Sequence, residues 1–126
     1  MSAGELGYGL KMTSRVLIVE DDPLVAIMIE GFLDALGYEL AGCEGSLGGA
    51  LARLASADFD AVILDVHLAN GETSEAVGKA LREADIPFVV ATGGGGAARS
   101  GFGEAAVVRK PFTLDALAAA LASIGV

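Results

Sequence analysis

A single cysteine, Cys43, excludes an internal disulfide and a cysteine-based zinc site, and with them the oxidised secreted scaffolds. Cys43 reads as a small buried hydrophobe. Basic residues are also scarce: eight Lys and Arg against seventeen Asp and Glu leave a formal charge of −9, which repels phosphate backbones and anionic lipid. Direct binding to nucleic acid or to a membrane surface is therefore not expected. No apolar run approaches the roughly eighteen residues of a membrane span. The first eleven residues contain Glu5 and glycines at 4, 7 and 9, and no apolar stretch of the kind a secretory signal needs. The expectation is a soluble cytoplasmic chain. What the sequence does have is apolar material, 53% of its 126 residues, enough for one hydrophobic core and one domain.

Residues 1–14 lack periodicity and read as a flexible N-terminal extension, with the folded domain spanning 15–126 and no output domain after it. From residue 15 onward, short apolar runs alternate with longer amphipathic stretches. Val16-Leu17-Ile18-Val19 is a buried-strand run that stops at three carboxylates, Glu20, Asp21 and Asp22. Asp22 before Pro23 pairs an N-cap acceptor with a ring already at helical φ, and Gly37 ends the helix that follows. Glu39 to Glu44 reads as a second strand and Ser46 to Ala55 as a helix carrying Leu47, Leu51 and Leu54. Ala61 to Leu64 is a third strand, ending at Asp65.

The second half repeats the pattern. Thr73 to Ala84 reads as a helix with Val77, Ala80, Leu81 and Ala84 on one face. Pro87 to Ala91 is a strand ending at Thr92, and Ala105 to Val108 a strand ending near Lys110. Thr113 caps a last helix with Leu114, Leu117, Leu121 and Ile124 at core spacing. Five βα units imply a parallel sheet covered by helices on both faces. Such sheets place their sites beyond the carboxyl ends of the strands. Glu20, Asp21, Asp65, Thr92 and Lys110 should therefore converge.

Carboxylates gathered at one sheet edge must take up protons or hold a hard cation, and oxygen donors without His or Cys suit Mg²⁺. Asp65 can then act as an oxygen nucleophile toward phosphorus, with Lys110 and Thr92 as donors to phosphoryl oxygens. Taken singly, each residue has a plainer role: Asp22 as a helix cap, Asp65 as a turn residue, Thr92 as loop punctuation, Lys110 as a solvated lysine. No one of those roles accounts for the set.

In this combination, Val16 to Asp22, Val62-Ile63-Leu64-Asp65, Thr92 and Lys110-Pro111-Phe112, the chain resembles the response-regulator receiver domains of two-component signalling (CheY-like). In Leu68-Ala69-Asn70-Gly71, without the proline common there, and in Pro87-Phe88 leading to Ala91-Thr92-Gly93, it further resembles the single-domain alphaproteobacterial receivers that tend to partner HWE or HisKA2 histidine kinases. It implies a flavodoxin-like (βα)5 doubly wound α/β fold with strand order 2-1-3-4-5. It implies that Asp65 accepts a phosphoryl group from a histidine kinase or phosphotransfer protein, with Thr92 and Lys110 gripping the phosphoryl oxygens. Mg²⁺ would be held by Asp21 and Asp65, by Glu20 mainly through water, and by the main-chain carbonyl of His67. The first helix, apolar on more than one face, would dock the phosphodonor. A downstream protein would read the output, and the chain would be a signalling protein and not an enzyme.

Two departures stand out. The fifth-strand position three residues before Lys110, which in the receivers it resembles usually carries a signalling aromatic, is Val107. The segment 93–103 holds six glycines, each costing about 1 kcal/mol against alanine in a helix, so the fourth helix should be short or disordered. Phosphorylation is then expected to act by ordering this segment. The competing readings are an aspartate-nucleophile Mg²⁺ phosphatase, whose second aspartate would fall at His67; a nucleotide-binding module built on the glycine run; and a protein-binding pseudo-receiver.

Overall fold

β-branched and leucine runs too apolar to face water on either side form the centre of the molecule. The computed structural model describes residues 13–56, 58–93, 102–103 and 105–126. Strands β1 (Arg15–Val19), β2 (Glu39–Glu44), β3 (Ala61–Asp65), β4 (Phe88–Thr92) and β5 (Ala106–Arg109) make one parallel sheet in the order β2-β1-β3-β4-β5, as expected. Four helices, α1 (Pro23–Leu36), α2 (Leu47–Ser56), α3 (Glu75–Glu83) and α4 (Leu114–Ser123), are described. None is long and apolar enough to cross a membrane. The expected extension at 1–14, apart from Thr13 and Ser14, and the glycine run from 94 to 101 lie outside the described residues. So does most of the expected helix between β4 and β5, and the ordering expected of it on phosphorylation.

Because side chains alternate along a strand, the sheet sorts its apolar residues into two cores. Leu17, Val19, Val62, Leu64 and Val90 face α2 and α3, where Ala50, Val77 and Leu81 meet them. Val16, Ile18, Ile63, Val89 and Ala91 face α1 and α4, against Ile29, Leu33, Leu117 and Leu121. The helix ends follow the residues read for them. Asp22 accepts from the Leu24 N–H at 2.9 Å, Gly37 sits at φ 86° with its N–H on the last carbonyls of α1, and Thr113 accepts from the Ala116 N–H at 3.1 Å.

Several sequence expectations shift. The helix expected from Thr73 begins at Glu75, because Thr73 bridges back to His67 and the Ser74 side chain turns inward, away from the cap position. On α3 the buried third position is Gly78, and Ala84 is exposed. On α2 the fully buried residue is Ala50, while Leu51 is exposed. Cys43 is exposed, not buried, because edge strand β2 turns it outward. Partial desolvation and the nearby Glu30, Glu20 and Glu44 push its thiol pKa up, toward the unreactive protonated form.

Close approaches are made at Gly42 and Gly78. β2 carries an extra residue, Ala41, between the pairs Val16–Leu40 and Leu17–Gly42, and Arg53 of α2 donates to the Ala41 carbonyl at 2.8 Å. Gly42, at φ 150°, lies under that guanidinium, where a Cβ would collide with Nη1. On α3, a Cβ at Gly78 would come within 2.8 Å of the Phe102 ring, which is itself fully buried against the helix. Phe102 thus fills a notch that only glycine leaves open. Val107 packs partly buried beside the same core.

Truncating that ring should cost what a large core cavity costs. Phe102→Ala is expected to lower the unfolding free energy by about 3–5 kcal/mol in urea titration. A loss under about 1 kcal/mol would show that the ring does not anchor the core.

Candidate functional site

Every polar residue assigned to a strand end is where the topology should put it. Glu20 follows β1 directly, Asp65 is the last residue of β3, Thr92 the last of β4, and Lys110 follows β5. Parallel pairing carries the ends into one place: Asp65 lies opposite Ala91, Thr92 opposite Arg109, and the Lys110 N–H donates to the Thr92 carbonyl at 2.7 Å. Glu20, Asp65 and Thr92 are buried, 3%, 5% and 3% exposed, whereas Asp21 and His67 face solvent.

Lys110 joins the site's charges. Its Nζ donates to Glu20 Oε1 at 2.9 Å and lies 3.1 Å from Asp65 Oδ1. The other Glu20 oxygen, Oε2, accepts the Asp22 N–H at 3.1 Å. Burial, with the Asp65 charge behind it, raises the Glu20 pKa above its ordinary 4.5, although Lys110 and the Asp22 amide pull the other way. For Lys110, burial opposes the charge, but the two carboxylates prevail and raise its pKa above the ordinary 10.5. A carboxyl whose pKa is raised in the fold favours folding most below its unfolded value, and that contribution is lost as pH rises through the folded value. A buried acid with a perturbed pKa beside a cation is a candidate functional group.

Glu20, Asp21 and Asp65 each offer a carboxylate oxygen within 4.8 Å of the others. Three carboxylates with no nitrogen or sulfur donor among them suit a hard divalent cation. Asp22 stands apart, its side chain engaged as the cap of α1. The cavity of about 410 Å³ at the opposite end of the sheet, lined by Pro87, Phe88, Phe102 and Ile124, is not this site. It opens at the amino ends of β4 and β5.

After Asp65 the chain makes a closed loop. Val66 N–H donates to the Ala91 carbonyl at 3.1 Å, Leu68 N–H to Glu72 at 2.8 Å, and Ser74 N–H to Val66 at 2.9 Å. Ala69–Gly71 forms a single 3₁₀ turn in which Asn70 and Gly71 take positive φ of 64° and 74°. Asn and Gly are among the residues most at ease in this left-handed region. Ser74, fully buried, hydrogen-bonds through Oγ to the Asp65 carbonyl and, at 3.3 Å, to the Val66 carbonyl. Sequence reasoning missed this residue. A serine just before the first acidic residue of a helix signals a cap, and nothing local says that its hydroxyl faces the other way.

A sequence profile of the response regulator receiver domain matches residues 16–122. The phyllosphere-induced regulator PhyR of Methylorubrum extorquens is 29% identical over 83 residues, which cover 64% of this chain and 31% of that protein. The chain thus spans about a third of the curated relative it matches. The solution structure of SdrG from Sphingomonas melonis Fr1 superposes with a TM-score of 0.79 at 45% identity, over 93% of this chain and 100% of that one. The BeF3-activated conformation of SdrG, from Pseudomonas melonis Fr1, superposes with a TM-score of 0.77 at 46% identity, with the same coverage.

Removing the lysine leaves burial and Asp65 acting on Glu20 with only one amide against them. Lys110→Met is expected to raise the Glu20 pKa further, read as the pH midpoint of its side-chain carboxyl carbon in NMR titration. A midpoint that stays or falls would show that the ammonium does not hold the Glu20 charge.

Proposed function

The chain belongs to the response regulator receiver domain family, and on that premise we propose that it is a phosphoacceptor in a two-component phosphorelay. It takes a phosphoryl group on Asp65 from a histidine kinase or a histidine phosphotransfer protein. The observation that carries this reading is the Lys110 ammonium lying between the buried Glu20 and Asp65 carboxylates, at 2.9 and 3.1 Å. A transferred phosphoryl group would need a cation beside Asp65, and the Lys110 ammonium there supports the reading.

The oxygen-only donor set fits Mg²⁺, with Asp21 and Asp65 as ligands, Glu20 acting mainly through water, and the His67 carbonyl as a further oxygen. When bound, the ion would neutralise charge between the carboxylate and the incoming phosphoryl group. The protein's own groups do the rest. An Asp65 oxygen forms its bond to phosphorus as the phosphorus–nitrogen bond of the phosphohistidine breaks, and that electron pair passes to the imidazole. Lys110 holds one phosphoryl oxygen, and the Thr92 hydroxyl, at the end of β4, is the donor for another. Burial of Asp65 and Thr92 restricts water at the acyl phosphate.

The donor protein docks on α1, whose Leu24 and Ile27 are 77% and 62% exposed on the helix that starts beside the acidic cluster. Output passes to a downstream protein by contact, or the chain drains phosphoryl groups from its kinase.

Asp65→Asn is expected to abolish labelling by a phosphorylated histidine donor, and labelling retained in that variant would overturn the assignment. Ile27→Glu should slow transfer from the donor protein by about tenfold or more, while phosphorylation by acetyl phosphate continues at the wild-type rate. Equal loss with both donors would remove α1 from docking.

A further inference from the structure

The loop that follows Asp65 is closed by a side chain for which neither the fold's core nor the proposed chemistry accounts. Ser74 is entirely buried, at 0% exposure, yet its hydroxyl does not cap α3, the helix it precedes. It turns back to β3, where Oγ meets the carbonyl of Asp65 and, at 3.3 Å, that of Val66. Pairing between β1 and β3 ends at Val19 and Leu64, so Asp65 sits just past the last rung on that side. On the other side Val66 is tied to β4 through its N–H on the Ala91 carbonyl at 3.1 Å. The Ser74 N–H also donates to the Val66 carbonyl at 2.9 Å, and His67 bridges Thr73. The residue therefore holds the peptide units on both sides of Val66.

We propose that Ser74 is a positioning residue for the phosphoacceptor: its buried hydroxyl fixes the Asp65 carbonyl while its N–H holds that of Val66, and with them the carboxylate of Asp65 and the backbone at His67. The inference rests on the reading of Asp65 as the phosphoacceptor. A hydroxyl has a single proton, and in this loop it goes to a carbonyl beyond the end of a ladder. Without it a buried carbonyl loses its donor, and the peptide planes around Asp65 are free to rotate toward another. Two of the oxygens expected to hold the cation, the Asp65 side chain and the His67 carbonyl, come from this stretch, while Asp21 stands on the loop after β1. Groups that orient metal ligands from behind change metal affinity by about 10–100-fold when removed. Helix α3 is itself pinned by Val77 and Leu81 in the core. Ser74 thus transmits the rigidity of that core to the loop.

The test is Mg²⁺ titration of the whole chain, followed by the amide shifts of Val66, His67 and Leu68, with and without beryllofluoride. Ser74→Ala removes the hydroxyl, Ser74→Cys keeps the volume with a weak donor, and Ser74→Thr restores the hydroxyl. Val77→Ala, on the same helix but away from the loop, controls for lost stability. Affinity reduced about tenfold or more in the alanine and cysteine variants, with threonine and Val77→Ala close to wild type, supports the proposal. Equal affinity in the alanine, cysteine and threonine variants overturns it. So does a loss in Val77→Ala that matches Ser74→Ala at the same loss of thermal stability. Should Ser74→Ala not fold, the contrast between cysteine and threonine decides alone. A wild-type chain that binds neither Mg²⁺ nor beryllofluoride would overturn the phosphoacceptor reading instead, and this inference with it.

Discussion

One ammonium group held between two buried carboxylates is the interaction on which the site depends. Glu20 and Asp65 lie at the ends of neighbouring strands, each almost closed to water, and two such charges would repel each other strongly in that setting. Lys110 reaches them from the end of β5, two strands from β3 and three from β1, and the Thr92 carbonyl holds its backbone at 2.7 Å. The sheet is thus the instrument of the site's electrostatics: it delivers three charges from residues 20, 65 and 110 to one spot and keeps them partly dry. The raised pKa values of Glu20 and Lys110 follow from that placement, the first driven by burial, the second by its anionic partners.

Around this centre, the packing devices are those a parallel sheet requires. Two cores of opposite strand parity clamp it, and close approaches are made where glycine removes a Cβ, under Arg53 at Gly42 and under Phe102 at Gly78. The second matters for the site's surroundings. Phe102 belongs to the connection between β4 and β5, so that connection, which leaves the site at Thr92, is anchored again in the α3 core. Phe102, from this connection, and Val107, on β5, meet in the same core.

The strands and most helix ends were legible because their signals are local. Four apolar residues followed by carboxylates, Asp before Pro, and Gly after an apolar helix each act within a few residues. The misreadings have a common cause. Thr73 looked helical by pattern, but bonding across the loop to His67 holds it outside α3. Cys43 looked buried by residue type, but it lies on the edge strand, a fact of sheet order and not of composition. Leu51 looked like core and Ala50 did not, because the rotation of α2 about its axis is set by what it packs on.

Residue order alone dictates the alternation of strands and helices, and from it the parallel sheet and the identity of the residues at its carboxyl edge. These follow from periodicity and from the rule that parallel strands need crossovers. Folding had to settle that Lys110 bridges Glu20 and Asp65, that Asp22 stays with its helix, and that the Ser74 hydroxyl turns to β3. Each of these is a choice between partners that are all chemically acceptable. Burial and distance make that choice, and neither exists until the chain has folded.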